Sequence, residues 1–484
     1  MTVGSQKLSV VEKVGYSLGD LAANLIFQTL MNFLAFFYTD VYKIPAGTAS
    51  LIILTGGFLG AFCNIIMGAI ADRTNTRFGK FRPWVLWTAV PFGVIALLTF
   101  TTPSLGDKGK LVYAIITYFS LVIIYSANNL PYSALGGVIT SDLKQRNSLS
   151  SYRFVAVMIA QFIIHVLMRP LVLKFGHGEE AEGFKIVMTY FSIIGIIFFV
   201  ITFFTTRERV KPLEGQKSTL KQDLKDLATN RPWMILLLVT ILIFITLALK
   251  GGMHIYYFKY YLNDSSLAAF LEKIGFNNFT VWLFQSTGFQ WPNDTASSGY
   301  SLFNASGIIF MIVGIALSKS LADKFGKRDV FGFSLLASAT CLLMFVFYQP
   351  ESIVNVFVTQ IMHGFFYGVT IPLLWTMIAD VADYSEWKNN RRATAIIFSA
   401  MISGLKIGLS VGGALGAAFL EGAGYIAGLS EQKATAMSGI KLSVSLYPGI
   451  IFIIAVVILF SYPINKKLEL IIESVLSERR NKSN

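Results

Sequence analysis

Gly68-Ala-Ile-Ala-Asp72-Arg73-Thr74-Asn75-Thr76-Arg77-Phe78-Gly79-Lys80 closes one long apolar run, and Ala322-Asp323-Lys324-Phe325-Gly326-Lys327-Arg328 closes another. Asp72 and Asp323 stand 251 residues apart, close to half of the 484-residue chain. A second pair fits better. Asn129-Leu130-Pro131 with Asp142, and Ile371-Pro372 with Asp383, share an offset of 241 residues. A fixed period of this length marks an internal repeat, so the chain reads as two copies of one unit in the same orientation.

The runs between these motifs decide what the unit is made of. Hydrophobic residues make up 54% of the chain and charged residues only 14%, with 41 Phe, 20 Tyr and a mean hydropathy of +0.61. A soluble domain carries roughly 25% charged residues, so this chain lacks the charge to cover a globular surface. Its apolar residues come in runs approaching the ~20 residues that cross a bilayer as a helix. Punctuation by Gly, Pro, Asn and charge clusters predicts twelve spans, at about 18–40, 48–71, 84–102, 110–137, 152–172, 185–205, 233–262, 298–318, 330–348, 353–381, 393–424 and 438–462. The expected fold is an all-α membrane protein of twelve helices in two six-helix halves, the major facilitator architecture.

An even number of spans puts both termini on one side. The loops on that side hold 28 Lys and Arg against 7 on the other, which predicts that both termini are cytoplasmic and explains the net charge of +13 without nucleic acid. Cys63 and Cys341 lie inside apolar runs and imply no disulfide. Residues 1–20 contain Glu12 and no short apolar stretch with a cleavage site, so the first span itself is expected to direct membrane insertion. The expected division is an N-terminal half at 1–205, a cytoplasmic linker at 206–232, a C-terminal half at 233–462 with an extracellular insertion at 263–297, and a cytoplasmic tail at 463–484. In the insertion, Leu267 to Ile274 reads as a short amphipathic helix, and Trp282, Phe284, Phe289 and Trp291 suit a headgroup-level loop or a lid. Asp72, Arg73, Asp323, Lys324, Asp380 and Asp383 read as a conformational latch at span ends.

Gly15-Tyr16-x-x-Gly19-Asp20, Phe37-Tyr38-Thr39-Asp40, Asp72-Arg73-Thr74-x-x-Arg77-Phe78-Gly79-Lys80-Phe81-Arg82-Pro83-Trp84, Leu130-Pro131-Tyr132 and Ala379-Asp380-x-x-Asp383-Tyr384-x-Glu386-Trp387-Lys388 occur in order. Together they resemble the glycoside-pentoside-hexuronide:cation symporters, the melibiose-carrier branch of the major facilitator superfamily. The resemblance runs from about Ser9 to Tyr425 and implies uptake of a sugar by alternating access around a site near the membrane middle.

The residues agree on location, since ionisable side chains deep in a span are costly and should face a cavity. Lys250 and Lys406 sit well inside their spans, and Ser403, Gly404 and Gly408 beside Lys406 permit close helix approach. Sugars need aromatic faces and several hydrogen-bond groups. Asn24, Tyr125, Ser126, Asn128, Asn129, Trp375 and Lys406 can supply them, and Lys250 is a further candidate for contact with the substrate. By the resemblance, Asn24 and Asn129 fall where the melibiose carrier has acidic sugar-binding residues, Arg153 matches an arginine at the start of span five, and Lys406 matches a lysine linking the sugar and cation sites. Each also has a plainer reading: Asn24 as an interhelical tie, Asn129 as a partner of carbonyls freed by Pro131, Trp375 as core, Arg153 as an interface anchor. His165, His254 and His363 show no metal-ligand spacing and read as packed residues.

The resemblance places the coupling cation against two acids in span two, four residues apart. The matching positions are Gly60 and Asn64, and no Asp or Glu lies between Asp40 and Asp72. Sodium prefers carboxylate oxygen. Proton symport, with Lys406 able to exchange the proton, or uniport is therefore expected over sodium coupling. No nucleophile with a base, phosphate loop or metal motif is found, so no enzyme activity, cofactor, metal or obligate protein partner is expected. The alternatives are a carrier of another amphiphile such as a lysolipid, or a non-transporting membrane sensor.

Overall fold

The computed structural model describes residues 8–140, 143–209, 229–389, 394–427, 429 and 431–483. Among them there is no β-strand, only an isolated bridge between Thr76 and Gly79. Among the described residues, twelve helices are long and apolar enough to cross a membrane, as the apolar runs predict.

The helices separate into two compact units. The first holds α1 (Val10–Phe36), α2 (Ala46–Arg73), α3 (Arg82–Thr99), α4 (Asp107–Val138), α5 (Leu143–Phe162), α6 (Met168–Gly176) and α7 (Glu180–Thr205). The second begins with α8 (Arg231–Tyr256) and α9 (Asp264–Lys273). Residues 277–301 group with the first unit; they comprise most of α10 (Phe276–Thr287) and the start of α11 (Thr295–Phe325). The rest of α11, with α12 (Lys327–Met344), α13 (Ile353–Asn389), α14 (Thr394–Gly422), α15 (Ala434–Val444), α16 (Leu446–Leu459) and α17 (Lys466–Ser483), completes the second. Most of the expected linker, residues 210–228, lies outside the described residues.

Local chemistry sets the helix ends. The Ser9 hydroxyl accepts from Glu12 N at 3.1 Å and caps α1 eight residues before the predicted start of span one. Asn230 caps α8 in the same way through Trp233 N, with Pro232 in the first turn. Among the described residues, three wide π turns occur, at Phe37–Val41 after α1, Ile163–Leu167 between α5 and α6, and Tyr257–Tyr261 after α8.

The repeated loop motif is fastened in each unit by the chain that follows its sixth span. In the first, Gly79 has φ +111°, which only glycine adopts readily, and the Glu208 carboxylate occupies the space a Cβ would need. That carboxylate accepts from Lys80 N, Phe81 N and Arg82 N at 2.9, 2.7 and 2.8 Å, an anion seated on the N-terminus of α3. In the second unit Lys466 Nζ donates to the carbonyls of Asp323 and Lys324 at 2.7 and 3.3 Å, a cation on the C-terminus of α11. The two halves share a device and invert its charge.

Small residues set how closely the helices approach. A Cβ on Gly408 or Gly412 of α14 would fall 2.6 Å from Ile241 O or 2.2 Å from Ile245 O of α8, and Gly404 sits over Leu237. These two helices therefore meet backbone to backbone. α11 and α13 do the same through Gly307 with Gly364, and Met311 with Gly368.

Candidate functional site

In the first unit one charged grouping within the spans is built on Asp20. Its Oδ2 accepts from Arg153 Nε at 2.8 Å, and its Oδ1 accepts from Asn24 Nδ2 at 3.2 Å. Asn24 also donates to Asp20 O at 2.9 Å, one helical turn back on α1. Two rings stacked at 4.8 Å, Tyr16 and Tyr132, lie beneath the guanidinium, at 5.9 and 5.6 Å from its carbon. Tyr132 Oη donates to Tyr16 O at 2.6 Å and ties α4 to α1. Asp20 is 6% exposed and Arg153 34%, so the carboxylate is spent on its partners while the guanidinium keeps N–H groups for a further acceptor.

Asn24, Arg153, Tyr125 and Asn129 are all half-buried. Tyr125 stacks on Phe27 at 5.4 Å and tilts against Phe92 at 6.0 Å. Asn128 is placed differently: it is buried, and its Nδ2 donates to Thr88 Oγ1 of α3 at 2.8 Å, an interhelical tie. Gly60 also has a packing reason, since a Cβ there would lie 2.8 Å from Val122 Cγ1 of α4. Asn64, one turn on, is buried. The two positions present one neutral amide and no carboxylate.

In the second unit Lys406 is half-buried on α14, between the glycines that press against α8, and its carbonyl accepts from Ser410 Oγ at 2.9 Å. Trp375 of α13 is half-buried against the apolar core of this unit. Lys250 of α8 is buried, and its Nζ is hydrogen-bonded to Nε2 of His363 on α13. His363 Nδ1 faces Ser338 of α12, at 2.8 Å from Oγ and 3.2 Å from the carbonyl oxygen.

Asp20 has no assigned part in the sequence reading, and His363 reads there only as a packed residue. Asp20 stands inside a motif of the resemblance, and its position within an apolar run was the available signal. Its partner is 133 residues away, and that of His363 is 113 away, so no local spacing reveals either.

Of the expected latch, Asp380 accepts from Lys327 Nζ at 2.7 and 2.8 Å, and Lys327 also reaches Glu469 of α17 at 2.8 Å. Arg73, Asp323 and Lys324 are exposed, and Asp383 is half-buried. The Asp72 side chain lies outside the described residues. An ion pair absent from the sequence reading joins Arg209 to Glu12 at 2.7 Å, and the Glu12 carboxylate holds the Arg209 guanidinium above its ordinary value.

The model of the family described as MFS/sugar transport protein matches residues 15–284 and 294–466. The inner membrane symporter YicJ of Escherichia coli (strain K12) is 34% identical over 458 residues, covering 95% of this chain and 92% of that protein. The isoprimeverose transporter of Lactiplantibacillus pentosus is 30% identical over 459 residues, covering 94% and 89%. Among solved structures, a D-xylose-proton symporter aligns with a TM-score of 0.62 over 94% of this chain and 96% of that one. At 13% identity that likeness concerns the fold alone.

Proposed function

Because the chain belongs to the MFS/sugar transport protein family, the glycoside-pentoside-hexuronide branch of the major facilitator superfamily, and is a multi-pass membrane sugar transporter, we propose that it imports a glycoside or pentoside by alternating access in a bacterial inner membrane. Both termini face the cytoplasm, in keeping with the excess of Lys and Arg on that side. The observation that carries the site is the Asp20–Arg153 pair with Asn24 on the remaining carboxylate oxygen. Charged groups within a span are costly and are retained for binding or coupling, and this one combines donors and acceptors with no net charge, as a neutral hydroxylated ligand requires. In the first unit Asn129 adds hydrogen-bonding capacity and Tyr125 a ring face; within the second unit Trp375 offers a ring face and Lys406 a donor. The similarity to an isoprimeverose transporter favours a pentose-containing glycoside.

The driving ion is the proton rather than sodium. Gly60 and Asn64 bring no carboxylate to the positions where the family resemblance seats a cation, and an amide alone is a weak ligand for sodium. Lys327, Asp380 and Glu469 serve as a cytoplasmic latch that opens and closes with the transport cycle.

The test is uptake into proteoliposomes of labelled isoprimeverose, xylobiose, melibiose and methyl glucuronide, with sodium and pH gradients imposed separately. Accumulation of a glycoside under the pH gradient alone is expected. No exchange of any of these sugars by folded protein would overturn the reading of the site, and accumulation under sodium alone would overturn the assignment of the ion.

A further inference from the structure

Lys250, His363 and Ser338 come from three helices of the second unit and are respectively 9%, 1% and 0% exposed. Lys250 enters on α8, His363 on α13 and Ser338 on α12. The Ser338 carbonyl can only accept, so the contact with His363 Nδ1 at 3.2 Å puts the ring hydrogen on Nδ1. Nε2 is then a lone pair, aimed at Lys250 Nζ. Two bases thus share one hydrogen bond within the membrane-spanning part of the protein.

The surroundings supply no counter-charge. The titratable neighbours of the pair are His254, one turn along α8, Cys341 from α12 and Tyr367 from α13. Phe452 of α16 stacks on the imidazole at 6.5 Å, α11 presents Phe303 to His254, and α14 meets this stretch of α8 through Gly412 and Gly416. Among the described residues, no carboxylate engages Lys250 or His363. The electrostatics then permit two states. With one proton beyond the Nδ1–H, the pair carries a single positive charge, as ammonium on neutral imidazole. Without it, the pair is neutral. A second added proton would set two like charges in contact in a medium of low dielectric, which is excluded on energetic grounds.

We propose that Lys250 and His363 form a one-proton site within the second unit, through which proton movement is coupled to sugar movement. This rests on the sugar-transport reading above and names the place where its coupling ion binds. The proton arrives from outside onto the pair and leaves from it to the cytoplasm, with no other group oxidised or reduced. The connection to the sugar runs along α8, because Lys406 sits on α14 between Gly404 and Gly408, and Gly408 and Gly412 hold α14 against the backbone of α8. A shift of α14 on sugar binding is therefore carried to the helix that holds Lys250.

The experiment compares wild-type protein with Lys250→Met, His363→Gln and Ser338→Ala in proteoliposomes, using the same four sugars and an entrapped pH dye. Exchange of labelled for unlabelled sugar needs no net proton movement, whereas accumulation does. For one proton per sugar, a gradient of one pH unit supports about tenfold accumulation. In Lys250→Met and His363→Gln, exchange is expected to persist while accumulation falls to unity and sugar-induced acidification of the lumen is lost. Ser338→Ala keeps both bases and the backbone carbonyl; it is the variant to read if the others fail to fold, and its accumulation is expected to shift its pH midpoint. Full accumulation by Lys250→Met or His363→Gln, an unchanged pH profile in Ser338→Ala, or loss of sugar binding at intact proton stoichiometry would each overturn the proposal. Wild-type exchange without any pH-driven accumulation would also overturn it. Absence of exchange in the wild type would instead sink the sugar-transport reading beneath it.

Discussion

Asp20→Asn tests the first-unit site most directly, because the substitution keeps the shape of the side chain and removes one acceptor. The aspartate gives one oxygen to Arg153 Nε and the other to Asn24 Nδ2. Asparagine offers one oxygen and two N–H groups, so one of these donors must face another donor. Hydrogen bonds to charged groups contribute about 1.5–3 kcal/mol. Removing one partner of a fully buried ion pair costs about 3–5 kcal/mol. Arg153 is a third exposed, and water screens its side of the pair, so the lower range applies. If the sugar binds to this constellation, affinity should fall roughly 10- to 150-fold. Calorimetric titration of detergent-purified protein with the transported sugar measures this, and a double-mutant cycle with Arg153→Leu isolates the pair. An expected coupling energy above about 1 kcal/mol would show the two side chains acting together. Binding within twofold of wild type, with coupling near zero, would refute the reasoning and leave the pair as a helix fastener.

Asn24→Ala and Asn129→Ala should each weaken sugar binding roughly two- to tenfold, the effect of losing a neutral hydrogen bond of about 0.5–1.5 kcal/mol; unchanged calorimetry in both would assign them to packing. Lys406→Ala should abolish or severely reduce sugar uptake in proteoliposomes while size-exclusion profiles stay normal, and ordinary uptake kinetics would remove Lys406 from the site. Gly412→Leu forces a side chain into Ile245 O, 2.2 Å from the Cβ position, and against Ala248. Overpacking of this kind costs about 1–3 kcal/mol, so lower thermal stability together with slower transport is expected, and wild-type behaviour in both would show that the two helices separate freely.

The spans were legible because long apolar runs leave few alternatives. Their ends were not: charged Glu12 and Lys13 suggest a start near residue 18, yet α1 begins at Val10, where Ser9 caps it and Arg209 pairs with Glu12. The external segment was read as one short helix followed by an aromatic loop, and the structure has a second helix, Phe276–Thr287, with no buried residue. Side-chain partnerships were the least legible part. Lys250 stands out in sequence as a lysine within a span, but its histidine is on another helix, and His363 looks like an ordinary packed residue until α8 and α13 are brought together. Asn128 and Asn129 are adjacent in sequence and differ in placement because successive helical residues point about 100° apart. One faces Thr88, and the other stays half-buried.

The wide turns after α1 and α8 have a bearing on history. Each ends the first spanning helix of its half, and in each the amide after the turn reaches back five residues, Tyr42 N to Phe37 O at 2.7 Å and Leu262 N to Tyr257 O at 3.1 Å. A π turn amounts to one extra residue lodged in an α-helix. Two separate insertions at matching points require a coincidence that one inherited insertion does not. One inherited turn accounts for both more simply, although their side chains differ, Phe-Tyr-Thr-Asp-Val in one and Tyr-Phe-Lys-Tyr-Tyr in the other.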